Sequence, residues 1–241
     1  CAAQFSYGQC FMTGTGVDEN YDEAEKYFRA AADQGYAPAA ESLKTLEDLR
    51  APEEVIEEIT EEIMEKKLAD AEKFISDHNY DAARPLIEEC AEVGMPRAQT
   101  IMGDFYAKAI AGYPRDSSKA LEWYRHGADG GDVSAMMGAA EILETTGVGA
   151  EAIRFYEKAH HAGNPDAAYR LGRIFENGKG VAKDDVLAFT WYLVAANAGD
   201  KLSQRIVGSM YETGRGTGAD PAQAMEWYKK AAEAGDIAAK K

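Results

Sequence analysis

Six segments of the chain repeat one pattern of small and bulky positions. In each, an alanine comes three residues before a bulky pair, a small residue comes four after the first bulky residue, and a glycine comes eight after it. Positions three or four apart share one face of an α-helix, and glycine suits the positive φ at a helix end. The pattern therefore predicts six copies of one helix. Its bulky pairs are Tyr27 and Phe28, Leu86 and Ile87, Trp123 and Tyr124, Phe155 and Tyr156, Trp191 and Tyr192, and Trp227 and Tyr228.

A second, more polar helix is predicted before these segments, and in five units it contains a glycine next to apolar residues. A glycine inside a helix costs about 1 kcal/mol relative to alanine, so its recurrence predicts that two helices cross closely there. We call the polar helix the first helix of a repeat and the helix with the bulky pair the second. The five glycines are Gly8, Gly103, Gly138, Gly172 and Gly208.

Short glycine turns join the two predicted helices at 14–17, 178–181 and 214–217. Such turns also cradle phosphate in some proteins, but no strand precedes them here, so we interpret them as connections between helices. An Asp or Asn follows at the start of the second helix, which is the preferred helix N-cap. These residues are Asn20, Asn79, Asp116, Asp184 and Asp220.

The three tryptophans occupy one offset of the second helix, beside its stripe of small residues. Trp123, Trp191 and Trp227 are therefore predicted to pack in the core between repeats. The alternative, a stacking platform for a ligand, is disfavoured by that shared position next to the small residues.

The repeat is interrupted once, because Tyr27 and Leu86 are separated by one period plus an insertion of about one helix. We predict an N-terminal repeat plus an extra helix over 1–50, a long acidic helix and a tetratricopeptide-like unit over 51–96, and four repeats over 97–241. Pro52 is expected to end the extra helix. The following helix, 53–76, carries Ile56, Ile59 and Ile63 on one side, and it is a candidate dimer face.

At the C-terminal end, the segment VGSMYETGRGTGADPAQAMEWYKKAAEAGD at 207–236 resembles a Sel1-like repeat, a relative of the tetratricopeptide repeat. The resemblance extends over residues 2–36 and 97–239. It implies an all-α fold, namely a right-handed α–α superhelix in which antiparallel helix pairs stack into a solenoid. It also implies a protein-interaction scaffold or adaptor, with a protein or peptide partner bound in the concave groove that the first helices line.

Positions of the first helices that the predicted core leaves over recur at spacing four and so share a face. Arg and Tyr often carry binding energy at interfaces, which favours Tyr169, Arg173 and Arg205 as partner-binding residues. The alternative is that this face is solvated and binds nothing. The candidates are Tyr169, Arg173, Asn177, Arg205, Ser209, Thr100, Asp104 and Lys108.

The formal net charge of −16 disfavours nucleic acid, which binds basic surfaces. The sequence contains no apolar run of about 18 residues, so it predicts no membrane span. The histidines lack metal-ligand spacing, and the three cysteines do not form a disulfide framework. We therefore expect no metal, no cofactor and no enzymatic activity.

Two other functions stay open at this point. Some cysteine-rich bacterial relatives bind or hydrolyse β-lactams, so the resemblance allows weak activity related to peptidoglycan, although those relatives carry a disulfide in each repeat. A regulatory or structural module of a larger protein is the other alternative. Cys1 suits a lipidated mature N-terminus, but the first repeat begins within two residues of it, which favours a fragment boundary. The compartment, cytoplasmic or bacterial periplasmic or secreted, stays undetermined.

Overall fold

The computed structural model describes residues 2–240, except for the side chains of residue 48, residues 50–60 and residue 240. Within that part every regular element is helical, and contacts divide the chain into two compact units, Cys1–Lys66 and Lys67–Lys241. The helices are α1 (Ala2–Thr13), α2 (Tyr21–Ala32), α3 (Ala37–Ser76), α4 (Tyr80–Glu92), α5 (Pro96–Lys108), α6 (Ser117–Asp129), α7 (Val133–Thr146), α8 (Gly149–His161), α9 (Ala167–Asn177), α10 (Asp185–Asn197), α11 (Lys201–Thr213) and α12 (Pro221–Glu233), followed by a 3-10 turn at Ile237–Lys240.

In the first unit, α1 and α2 form one helix pair and the beginning of α3 completes its core. The buried Phe28 lies against Gly8, where an added Cβ would be 2.6 Å from the ring. Ala24 and Leu46 are buried in the same cluster. The unit therefore contains one helix pair and the start of a longer helix.

The expected helix break at Pro52 is wrong, because α3 continues from Ala37 to Ser76. A proline keeps a φ compatible with a helix and removes one backbone donor, so a long helix can pass through it at a local cost. Of the candidate dimer face, Ile63 is half-exposed, whereas the side chains of Ile56 and Ile59 lie outside the described residues.

The second unit is a solenoid of antiparallel helix pairs, which confirms the predicted fold class. Each helix from α4 to α12 packs on the next one along the chain, and α5 also contacts α7 across one repeat. The pairs are α5 with α6, α7 with α8, α9 with α10, and α11 with α12. Each pair packs mainly on its neighbours, and the buried residues form clusters that span neighbouring pairs, one over α6–α9 and one over α10–α12.

Aromatic rings of the second helices lie directly on the glycines of the first helices. A Cβ added at Gly172 would be 2.7 Å from the ring of Tyr192, and one at Gly103 would be 2.5 Å from the ring of Tyr124. The Tyr124 ring also covers Gly138 of the next repeat. These contacts confirm the prediction that the helices cross closely at the recurring glycines.

The hydroxyls of these tyrosines donate hydrogen bonds to carboxylates of their own repeat. The hydroxyl of Tyr124 lies 2.6 Å from Asp104, and that of Tyr192 lies 2.6 Å from Glu176. Burial, together with the adjacent carboxylate, raises the pKa of both tyrosines above the usual value. The tyrosine of each pair thus fills the core with its ring and donates a hydrogen bond to a carboxylate at the edge of the core.

The prediction for the tryptophans holds only in part. Trp227 is buried at 6% exposure, but Trp123 and Trp191 are half-buried. The Trp191 ring packs edge-on against His160 of the preceding second helix, at 5.5 Å between centroids. The following residue of the pair, Tyr124 or Tyr192, is the one that enters the core, because it faces the first helix.

All five predicted N-caps form. The carboxylate of Asp184, for example, accepts hydrogen bonds from the N–H groups of Val186 and Leu187 at 2.9 Å. Side-chain oxygens of Asn20, Asn79, Asp116 and Asp220 cap the other second helices in the same way. The local signals at the helix starts are therefore read correctly from the sequence.

We expect Gly172→Ala to lower the free energy of unfolding by about 1–3 kcal/mol, because the new methyl group would overlap the Tyr192 ring. The gain in helix propensity offsets only part of this loss. Gly218→Ala is the matched control, since an added Cβ there has nothing within 4 Å. Urea unfolding of both variants measures the difference; equal stabilities would contradict the close crossing.

Stability is expected to fall at alkaline pH. A tyrosine in the unfolded chain loses its proton near pH 10, whereas the raised pKa of Tyr192 keeps it protonated in the fold. Its contribution is therefore complete below pH 10 and decreases as the pH rises further. Urea unfolding between pH 8 and 11 should show this decrease, and Tyr192→Phe should reduce its slope. Tyr7→Phe, at a residue that is 61% exposed, is the control for the loss of an exposed hydroxyl.

Candidate partner-binding groove

A pocket of about 560 Å³ lies on the side of the second unit formed by the first helices α5 and α7. Thr100, Asp104 and Lys108, which the sequence predicted as groove residues of α5, all line it. The facing wall comes from α7 through side chains that include Met137, Glu141 and Thr145. This volume is in the range of ordinary ligand pockets.

Asp104 is held in the pocket wall by two neighbours. Its Oδ1 atom accepts the hydrogen bond from the Tyr124 hydroxyl at 2.6 Å and lies 3.0 Å from Nζ of Lys108. The ring of Tyr124 is itself fixed between two glycines. The orientation of this carboxylate therefore depends on the core contact that joins the helices.

Glu141 ties the α7 wall to the next repeat. Its carboxylate forms an ion pair at 2.8 Å with Arg170 of α9. In the sequence, Glu141 stands where the other first helices have an aromatic residue. A glutamate at this otherwise aromatic position indicates that it is solvated and belongs to the groove, although Glu141 was not among the groove residues predicted from the sequence.

Two charged side chains of the pocket have no ion pair with any described residue. Arg115 is exposed in the loop before α6, and Asp166 is exposed at the start of α9, where its side chain caps nothing. Both come from connections between helices rather than from the helix faces. The pocket therefore presents one free guanidinium and one free carboxylate.

The predicted residues of α9 lie together on one face. The guanidinium of Arg173 stands 5.9 Å from the centroid of the Tyr169 ring, and the side chain of Asn177 donates to the Arg173 carbonyl at 2.9 Å. Tyr169 is half-buried, with its ring 5.9 Å from that of Tyr192. Among the described residues, Arg173 has no carboxylate partner, so its charge is available on this face.

The predicted residues of α11 have structural partners. Nε of Arg205 donates to Asp236 at 2.9 Å, and Ser209 lies beside the hydroxyl of Tyr228. Although burial acts in the opposite direction, the bonds from Arg205 and from the N–H of Ala238 lower the pKa of Asp236. The charge of Arg205 is therefore already paired, unlike that of Arg173.

Thr100 is buried, at 2% exposure, although it lines the pocket. Its hydroxyl donates to the carbonyl of Pro96 at 2.9 Å and lies where a Cβ on Gly127 would collide. It therefore packs α5 against α6 more than it presents a polar group to a partner.

No group of three or more histidine, cysteine or acidic side chains in the described part is arranged to hold a metal ion. Cys10 and Cys90 form no disulfide with a described residue; Cys1 lies outside the described residues. None of the described helices is both long and apolar enough to cross a membrane.

The family model of the Sel1 repeat matches residues 1–36, 96–132, 165–200 and 202–236, which is more than half of the chain. The chain belongs to the Sel1 repeat family. Proteins of this family are generally scaffolds for protein interactions. One of the unmatched segments, 133–164, contains α7 and α8, the repeat with Glu141.

Curated relatives of this Sel1 repeat protein include two fungal regulators. A chitin synthase regulator of Saccharomyces cerevisiae is 35% identical over 51% of this chain and 18% of its own length. Chitin synthase regulatory factor 3 of Schizosaccharomyces pombe is 29% identical over 46% of this chain and 13% of its own length. The chain thus spans less than a fifth of either relative.

Solved structures show the same fold. A Sel1 repeat protein from Oxalobacter formigenes is 27% identical with a TM-score of 0.57, covering 99% of this chain and 73% of its own. A protective antigen of uropathogenic Escherichia coli with a Sel1-like repeat fold has a TM-score of 0.65 at 24% identity, covering 99% of this chain and 47% of its own.

We expect Thr100→Val to lower the free energy of unfolding by about 1 kcal/mol, because it removes a buried hydrogen bond. Thr145→Val is the matched control, since its hydroxyl makes the same kind of backbone bond, at 2.8 Å to Ile142, but is exposed. Thermal and urea unfolding compare the two variants. An equal loss in both would show that burial of Thr100 does not matter.

Proposed function

We propose that this Sel1 repeat protein is an interaction scaffold that binds a segment of a partner protein along the first helices of its second unit. The main binding site is the pocket between α5 and α7. The observation that carries this proposal is the pocket itself, whose free Arg115 and Asp166 have no ion pair with described residues. A charged group without a partner at the wall of a concave site is suited to bind a complementary group of a ligand.

The chemistry of the pocket favours a polar segment with charges of both signs. The guanidinium of Arg115 suits a carboxylate, which it can bind through two parallel hydrogen bonds. Asp166 suits a lysine or arginine side chain. The remaining wall charges, Asp104 and Glu141, are already paired with Lys108 and Arg170, so they shape the site without strongly favouring a cation.

The face of α9 supports an extended binding mode. Tyr169, Arg173 and Asn177 follow the pocket along the array, and Arg173 has no carboxylate partner among the described residues. Tyr and Arg are the residue types most often found to dominate interface energy. An extended segment seated beside Arg115 would continue over this face.

A scaffold role also agrees with the names of the fungal relatives, which describe them as regulators of chitin synthase. For this chain we therefore propose a binding role, within a scaffold, for the groove of the second unit.

The test uses peptides selected from a displayed library on the immobilised full chain. Their dissociation constants are then measured by fluorescence anisotropy for the wild type and for Arg115→Ala. We expect the substitution to weaken binding roughly tenfold or more, because it removes a charged contact worth over 1 kcal/mol.

Arg154→Ala is the matched control, since Arg154 is also an exposed arginine, on α8, without an ion pair to described residues. Its affinity should stay within about twofold of the wild type. Selected peptides that bind Arg115→Ala and Arg173→Ala as tightly as the wild type, at unchanged unfolding midpoints, would overturn the proposed groove.

A further inference from the structure

Inside the second unit, the glycine turns that precede α10 and α12 each contact a glutamate of the preceding repeat. Nζ of Lys179, between Gly178 and Gly180, lies 3.2 Å from Glu144. Nη2 of Arg215, between the glycines of the next turn, lies 2.7 Å from Glu176. A basic residue between two glycines thus forms an ion pair across each of these repeat boundaries.

The same glutamates accept a hydrogen bond from their own repeat. The hydroxyl of Tyr156 lies 3.0 Å from Glu144, and that of Tyr192 lies 2.6 Å from Glu176. Each glutamate is therefore a junction with two partners, a tyrosine of its own second helix and a cation of the following turn.

Backbone and apolar contacts accompany this ion pair. A Cβ on Gly216 would overlap the carbonyl of Asp185, at the start of the preceding second helix. One turn later on that helix, Phe189 packs edge-on against Tyr211 of the following repeat, at 5.2 Å between centroids. A following repeat thus contacts Asp185 and half-buries Phe189 on the second helix, while Val186 and Leu187 between them stay exposed.

The last repeat has the same groups, but no described residue completes them. Glu212 accepts the hydrogen bond of Tyr228 at 2.7 Å and forms no ion pair with a described residue. Met225 occupies the position of Phe189 one period later and is 71% exposed. The polar junction and the apolar patch are both open on this face.

The backbone after the last repeat begins as a first helix does. The carboxylate of Asp236 accepts hydrogen bonds from the N–H groups of Ala238 and Ala239, at 2.8 and 3.3 Å. Asp200 caps α11 in the same way, through Ser203 at 2.7 Å. Ile237, at the start of this turn, is 83% exposed.

We propose that the open face formed by Glu212, Tyr228 and Met225 is the docking surface for one further Sel1 repeat of the same array, joined through Ile237–Lys240. The docked repeat carries Lys or Arg between the two glycines of its turn, and this cation pairs with Glu212. A second copy of this chain fits less well, because its N-terminal turn has Thr15 between Gly14 and Gly16. The inference is independent of the groove proposal.

The experiment extends the full chain after Lys241 by a second copy of residues 206–241. Residues 237–241 then take the place of 201–205, so the helix continues in register and the added turn carries an arginine. We expect the thermal midpoint to rise by about 2–4 °C or more, since the added interface stabilises its neighbour. An extended chain that is no more stable than the parent would overturn the proposal.

Glu212→Gln isolates the ion pair. It should lower the midpoint of the extended chain and leave that of the parent nearly unchanged. In the extended chain, replacing the added arginine by methionine should have little further effect once Glu212→Gln is present. An equal effect of Glu212→Gln in both chains would contradict the predicted cation.

Oxidation of Met225 reports the burial of the apolar patch. With dilute peroxide and peptide mapping, we expect Met225 to oxidise at least tenfold more slowly in the extended chain, while the buried Met210 stays protected in both. Equal oxidation rates of Met225 would count against docking.

Sedimentation of the parent chain tests whether a second copy of the chain covers this face instead. A dimer that Met225→Lys dissociates would assign the face to a second copy and overturn the proposal.

Discussion

The contact on which the structure depends is that of an aromatic ring with a glycine of the facing helix. Tyr192 lies on Gly172, Tyr228 lies on Gly208, and Phe28 makes the same contact in the first unit. Without a Cβ on the first helix, the ring packs against backbone and the two helices approach closely. The same contact turns the ring away from solvent, so one glycine determines the spacing of the pair and the burial of the ring that lies on it.

The groove follows from this packing. Because rings and small residues occupy the inner sides of the helices, the remaining face of the first helices carries polar and charged side chains. Tyr124 belongs to both regions, since its ring fills the space between Gly103 and Gly138 and its hydroxyl holds Asp104 in the pocket wall. Stability and the geometry of the candidate site are therefore linked through one residue.

The tyrosine–glutamate bonds extend the packing of one repeat to the next. Glu176 joins Tyr192 of its own repeat to Arg215 of the following one. In a solenoid, such nearest-neighbour contacts are the main source of cooperativity between repeats. In the last described repeat Met225 and Glu212 are exposed, whereas Phe189 and Glu176, one period earlier, are half-buried.

Apart from the helix end wrongly expected at Pro52, the sequence by itself determined the helices, their ends and the family, because capping residues such as Asp184 and the glycine pattern act within a few residues of chain. Of the candidate groove, it predicted the α5 and α9 faces but not Glu141, Arg115 or Asp166. Only the tertiary structure decided which member of each aromatic pair enters the core and that Arg205 is paired with Asp236. Both depend on how helices rotate against each other, and that is set by contacts between residues far apart in sequence.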